Sequence, residues 1–318
     1  MKIDRIEAAA KRLSGHVRVT PLLNAPLLDK AFGKRIFVKA ECLQLTGSFK
    51  FRGAWSAVSA LPKETQGVLA YSSGNHGQGV ALAAARHGLA CVIVMPSDAP
   101  IVKIENTRAY GAEVVLYNRA TEDRDAIGAR LCRDRGLHLI KPFDDFDVIA
   151  GQGTVGLEIA TQATEAGVKD AEVLVCCGGG GLSAGIATAL ADRAPDLRVR
   201  TCEPEGFDDM ARSLAFGERQ RNATAAGSIC DAILTPTPGD LTFPILQSLA
   251  GAGLAVSDTE AKRAMALAFQ HLRIVLEPGG AVALAAALFR DTSATVVCTA
   301  SGGNVDAELF RDVLTEFG

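Results

Sequence analysis

No apolar run in this chain is long enough to cross a bilayer. The longest, such as LACVIVMP (89–96), fall far short of the ~20 residues a spanning helix needs. The N-terminus, MKIDRIEAAAKRLSG, lacks the apolar segment of a secretory signal. It reads instead as an amphipathic helix, with Ile3, Ile6 and Leu13 set among charges. No lysine or arginine block stands out, and the formal net charge is −3. Nucleic acid and anionic membrane surfaces are therefore poor partners for it. There are eight cysteines, yet no CxxC pair and no Cys/His ligand spacing. Most lie in strand-like apolar runs: Cys91 in ACVIVM, Cys176 and Cys177 in VLVCCG, Cys298 in TVVCTA. They are expected as buried free thiols in a reducing cytoplasm. Internal repeats and low-complexity segments are also lacking.

What is present is an alternation. The 318 residues are 48% hydrophobic and 22% charged, enough for one large core or two smaller domains. Short apolar runs at 36–40, 67–71, 91–95 and 113–117 read as buried strands. Helical patterns near 76–87, 101–110 and 121–135 accompany them. A second series has strands at 172–177, 197–202 and 294–299, with helices near 181–192, 258–271 and 305–316. Such alternation predicts parallel sheets with helices on both faces, in an α/β fold. Sites in such folds lie at the carboxyl ends of strands. KPFDDFDVIAGQGT (141–154) mixes Pro, Gly and Asp and is expected as a domain junction.

Three glycine loops sit at predicted strand ends: SSGNHGQG (72–79), GGGGL (178–182) and SGGN (301–304). GGGGL opening a helix lets consecutive backbone N–H groups face one anion at the positive end of the helix dipole. No Lys-Ser/Thr follows, so it is not a Walker loop. Gly179-x-Gly181-x-x-Ala184, with Glu203 at the end of the next strand, also fits a dinucleotide fingerprint, which keeps a nicotinamide-dependent oxidoreductase as a distant alternative. That alternative leaves TGSFKFRGA (46–54) without a role. There Lys50 lies between Phe49 and Phe51, and burial among aromatics destabilises an ammonium. Pyridoxal phosphate wants both features, a phosphate cradle and a lysine amine for its aldehyde.

TGSFKFRGA, SSGNHGQG, GGGGL, EPGGA (277–281) and SGGN, in that order, resemble the fold-type-II pyridoxal phosphate enzymes. More narrowly they resemble the serine/threonine dehydratase and serine racemase branch. The resemblance implies a tryptophan synthase beta-like architecture: two open parallel-sheet α/β domains with the cofactor in the cleft between them. A large domain would comprise 1–66 and 147–318, and a small one, inserted, 67–146. A C-terminal regulatory domain is not expected. Lys50 would carry the cofactor and act as a proton-transfer base, with Phe49 against the ring. Asn75 would bond the ring oxygen, Gly178, Gly179, Gly180, Gly181 and Leu182 would hold the phosphate, and Ser301 would meet the pyridine nitrogen. Ser73, Gly74, Asn75 and His76 would receive the substrate carboxylate. The reaction implied is loss of water from a small β-hydroxy amino acid, serine or threonine, giving a 2-oxo acid and ammonia. A hydroxyl at the ring nitrogen does not compel its protonation, which favours prompt elimination over transamination.

Three further residues or groups follow from the resemblance. Ser73 matches a second base on the opposite ring face, which would allow racemisation. Glu203, the Phe207 carbonyl and Asp209 match a divalent-cation site, all oxygen, suited to Mg²⁺ or Ca²⁺. Arg130 matches an arginine that meets dicarboxylates, which would admit 3-hydroxyaspartate; otherwise it is a surface arginine. Phe51 and Trp55 are bulkier than usual at their places and either reshape the pocket or pack the helix behind it. A homodimer is usual in the branch.

Overall fold

The computed structural model describes residues 1–318 apart from Ser73, Pro100, Arg119 and the side chain of Val102. The apolar runs become strands of two sheets. The first contains β1 (Leu22–Asn24), β2 (Arg35–Lys39), β7 (Ala171–Cys176), β8 (Leu197–Pro204), β9 (Leu254–Val256) and β10 (Thr295–Thr299). Its spatial order is β1-β2-β10-β7-β8-β9, parallel except for the edge pair β1–β2. The second contains β3 (Gly67–Tyr71), β4 (Ala90–Pro96), β5 (Glu113–Tyr117) and β6 (Leu137–Leu139). It is wholly parallel, in the order β5-β4-β3-β6. The chain leaves the first sheet after β2, builds the second, and returns at β7.

Helices cover the sheets, as runs buried on both faces require. β10 lies in the middle of its sheet, and Val296, Val297 and Cys298 are fully buried. Among the described residues no helix is long and apolar enough to cross a membrane. The eight cysteines are all free, and seven are buried.

The stretch 141–154, expected as a junction, lies between the last strand of the second sheet and the return to the first, and most of it is helical rather than loop. Asp145 caps a helix, accepting from the backbone N–H groups of Asp147 and Val148, and the helix runs Phe146–Glu165. Its glycines are contact points rather than breakers. A Cβ at Gly151 would lie 2.5 Å from the Arg52 carbonyl oxygen, and one at Gly153 2.6 Å from Ile6 Cδ1. Small residues let this helix approach the helices Lys50–Ser59 and Gly181–Arg193 closely, at a propensity cost of about 1 kcal/mol each.

A buried charge network joins these parts. The Arg52 guanidinium donates to both Glu41 oxygens at 2.8 Å. It also donates to both Glu158 oxygens, at 2.6 and 2.9 Å. Lys39 Nζ adds a bond to Glu158 at 2.5 Å and others to the Thr20 carbonyl and Gln162. Arg52, Glu41 and Lys39 are fully buried. Two cations and two anions balance, and bidentate geometry satisfies them. Removing one partner leaves the others buried and uncompensated. Arg52→Leu is therefore expected to lower unfolding stability by about 3–5 kcal/mol, read from urea unfolding midpoints at constant slope. A loss below about 1 kcal/mol, the scale of an exposed ion pair, would contradict the network's role.

Candidate active site

The three glycine loops meet where the sequence places them, at the carboxyl ends of β3, β7 and β10. Between them lies a cavity of about 330 Å³ whose wall includes Lys50, Asn75, the Gly178–Gly181 backbone and Ser301. Lys50 is the first residue of the helix Lys50–Ser59. Its Nζ donates to the Pro142 carbonyl at 2.9 Å and stands 5.1 Å from the centre of the Phe49 ring. Burial pulls its pKa down to about 8, although Glu277 opposes the shift. An amine at that value is a usable base and nucleophile near neutrality.

Gly180 takes φ +92°, a left-handed conformation, and caps the helix Gly181–Arg193. A Cβ there would lie 2.7 Å from Met210 Cε and 2.9 Å from Thr242 Oγ1. The loop is thus backed by protein, and the N-terminus it opens faces the cavity. Leu182 follows in the lining, and Ser301, 4% exposed, lies across from it at the end of β10.

Asn75 begins the helix Asn75–Arg86. Its amide lies between two partners, donating to Glu277 Oε1 at 2.6 Å and accepting from Asn304 Nδ2 at 2.8 Å. His76 is buried, and its Nε2 bonds the Ile140 carbonyl at 2.9 Å while Nδ1 has no partner among the described residues. Burial and the nearby Lys50 hold its pKa down to about 3, so the imidazole is neutral and Nδ1 is an open acceptor. Gly74 is also in the lining. Ser73 lies outside the described residues.

The structure adds wall residues that the sequence reading missed: Glu277, Lys103, Asp231 and Arg124. Glu277 stood in plain sight in EPGGA, but a carboxylate beside Pro and Gly also reads as a turn. Arg130 lies where its alternative reading puts it, at the surface. It is exposed on the helix Arg124–Arg135 and absent from the cavity wall, whereas Arg124 at the start of that helix is part of it. Lys103 Nζ pairs with Asp231 Oδ2 at 3.1 Å, linking the helix Ile101–Ala109 to the turn Asp231–Ile233.

Phe51 and Trp55 pack the helix rather than the cavity. Both are buried in the core, Trp55 Nε1 donates to the Arg12 carbonyl, and its ring stacks on His16 with centroids 4.3 Å apart. Glu203 is fully buried and accepts from the backbone N–H groups of Met210 and Ala211 at 2.9 and 2.8 Å. It is outside the cavity wall, so it is not available there to a ribose. Asp209 is also fully buried, bonded to Asn222 through Oδ1, and its Oδ2 has no partner among the described residues. Burial pushes the Asp209 pKa up to about 6 and Glu203 well above the usual carboxylate range, with mutual repulsion adding to the Glu203 shift. Phe207 is buried beside them. Among the described residues, no three His, Cys, Asp or Glu side chains cluster as metal ligands.

An amine of lowered pKa, a glycine-rich helix N-terminus and a hydroxyl, all on one cavity, fit a phosphate-bearing aldehyde. Comparison with known proteins agrees. The family of pyridoxal-phosphate dependent enzymes matches residues 13–303. An L-threo-3-hydroxyaspartate ammonia-lyase of Pseudomonas sp is 42% identical over 313 residues, covering 96% of each chain. A serine racemase of Oryza sativa subsp. indica is 36% identical, covering 96% of this chain and 91% of that one. Among solved structures, a threonine deaminase of T.th. has a TM-score of 0.92 at 44% identity, covering 96% of this chain and 99% of that one. Sequence motifs, cavity and comparisons converge, and the chain belongs to the pyridoxal-phosphate dependent enzyme family.

Proposed function

We propose that this protein eliminates water from a small β-hydroxy amino acid, releasing a 2-oxo acid and ammonia, with Lys50 as attachment point and base. The observation that carries the reading is the position of the Lys50 amine, pKa about 8, in one cavity with the Gly178–Gly181 helix N-terminus and Ser301. The named activities of the relatives, an ammonia-lyase and a threonine deaminase, support it. When bound, pyridoxal phosphate supplies an aldehyde for amines and a ring that draws electrons from Cα.

The chain's own residues do the rest. Backbone N–H groups at Gly178–Gly181 and Leu182 would hold the phosphate. Phe49 would lie against the ring, Asn75 would donate to the ring oxygen, and the Ser301 hydroxyl would meet the ring nitrogen. Ser73, Gly74, Asn75 and His76 would receive the α-carboxylate. Lys50 Nζ takes the α-proton. Ser73, as a second base, would add racemisation. Glu203, Asp209 and the Phe207 carbonyl are the oxygen donors for Mg²⁺ or Ca²⁺. Two buried carboxylates of raised pKa, one with an unpartnered oxygen, call for a cation's charge. We infer a homodimer in the cytoplasm.

A second reading of the substrate rests on Arg124 and Lys103. Both lie on the cavity wall, but Lys103 is already paired with Asp231, which leaves Arg124 as the cation for a second substrate carboxylate, as in 3-hydroxyaspartate.

Three outcomes test these readings. Reconstitution of apoenzyme with pyridoxal phosphate is expected to accelerate as pH rises through about 8, because only the neutral amine attacks. A stopped-flow profile still rising towards 10.5, the ordinary lysine value, would overturn the lowered pKa. For the substrate, 2-oxo acid release is measured with L-serine, L-threonine and the 3-hydroxyaspartate isomers. Arg124→Gln is expected to lower kcat/KM for hydroxyaspartate about 10–100-fold more than for serine, the loss of one charge-assisted bond. Equal losses would remove Arg124 from substrate choice, and no product from any substrate would sink the elimination. For the metal, Mg²⁺ or Ca²⁺ at about 100 Kd would add about 2.7 kcal/mol of stability. The resulting rise in Tm should vanish in Asp209→Asn; its persistence would place the cation elsewhere.

A further inference from the structure

Glu277 has no part in the reaction proposed for this cavity, yet the fold encloses it with care. It directly precedes the helix Pro278–Phe289, and the residue is only 3% exposed. Its backbone N–H donates to the Gly302 carbonyl at 3.1 Å, and Ser301 N–H donates to the Gly280 carbonyl at 3.2 Å. EPGG and SGGN therefore interlock. A Cβ at Gly302 would collide with Glu277 Oε1, and one at Gly280 with the Gly302 carbonyl oxygen. Gly302 makes room for the carboxyl group, and Gly280 makes room for the Gly302 backbone.

That carboxyl accepts from Asn75 Nδ2 at 2.6 Å. On the other side, Asn304 Nδ2 donates to Asn75 Oδ1 and to the Thr46 carbonyl, both at 2.8 Å. The Asn75 amide cannot be reversed. Turned over, it would set NH₂ against NH₂ and a carbonyl oxygen against a carboxylate. One of its two N–H groups goes to Glu277, which leaves one to present to the cavity.

We propose that Glu277 is a positioning residue that holds the Asn75 amide with one N–H toward the cavity and makes the strength of that donor depend on pH. The inference rests on the cofactor reading above, in which Asn75 meets the ring oxygen. The groups facing Glu277 are Lys50, Lys103, Asp231 and the Cys42 thiol. Burial raises its pKa to about 7, while the Asn75 bond and the two lysines pull the other way. Below that value the carboxyl is neutral. Above it, the new negative charge draws the Asn75 proton, disfavours an anion on the ring oxygen and favours a proton on the Lys50 nitrogen.

The test uses the holoenzyme and two variants. Visible absorption of bound pyridoxal phosphate, which reports the ring oxygen's ionisation, is titrated through neutrality. The wild type should show one inflection near 7. Glu277→Gln keeps an acceptor for Asn75, so cofactor affinity should stay within about threefold while the inflection disappears. Glu277→Ala removes the acceptor as well, and cofactor affinity should fall about tenfold. An inflection that survives in Glu277→Gln, or is missing from the wild type, would overturn the pH dependence. Unchanged affinity in Glu277→Ala would overturn the positioning. If Lys50→Ala gave the same visible band as wild type, the cofactor reading itself would fail, and this inference with it.

Discussion

The Arg52 guanidinium fixes the place where chemistry can happen. It sits two residues after Lys50, within the first turn of the same helix, and is gripped by Glu41 and Glu158. Glu41 follows β2, Glu158 lies on the long helix Phe146–Glu165, and Lys39 in β2 closes the set. One buried cluster thus ties the first sheet, the long helix and the lysine helix together. Such networks confer little net stability against a hydrophobic alternative, because desolvation offsets much of the attraction. What they give is a single register. An amine on four flexible methylenes needs a backbone that does not slide, and Arg52 supplies that constraint.

The segment leading into Lys50 is held just as tightly. Thr46 takes φ 61° and Gly47 φ 74°, so the turn before the lysine is left-handed at two successive residues. For threonine that conformation is costly. Asn304 meets the cost by donating to the Thr46 carbonyl, and the same side chain holds Asn75. Loops from three strand ends are therefore set by one amide. The electrostatics follow from this closeness. Burial lowers the Lys50 pKa, raises that of Glu277 and keeps His76 neutral. Each shift moves its group toward the uncharged form, as desolvation in a shared cavity demands.

Much of this was legible in the sequence. Buried parallel strands read as continuous apolar runs, so the seven longer ones could be placed; β1, β6 and β9, at three residues each, are too short to carry a pattern. The glycine loops were legible because the fold class puts sites at strand ends. The helix Phe146–Glu165 was not, because glycines that serve close packing look the same as glycines that break helices. The two arginines show a different limit. Arg124 and Arg130 are six residues apart, about 240° around a helix, so one can face the cavity while the other faces solvent. Resemblance pointed to Arg130 or left it at the surface, and only the position of the helix start against the sheet puts Arg124 rather than Arg130 on the cavity wall.

Glu277 shows why motif glycines mislead when read one at a time. SGGN invites the reading that its glycines let a backbone approach a ligand. Gly302 in fact yields to Glu277, and Gly280 yields to Gly302. The member on the cavity wall is Ser301, and Gly302 behind it admits a carboxyl that an L side chain there would exclude. Glu277 in turn holds Asn75, which Asn304 holds from the other side. A buried polar chain is stable only when each member is satisfied, and this one leaves a single N–H of Asn75 for the cavity. The short motifs are best understood as halves of one interlocked structure, which holds the Asn75 amide on the wall of the cavity that Lys50 also lines.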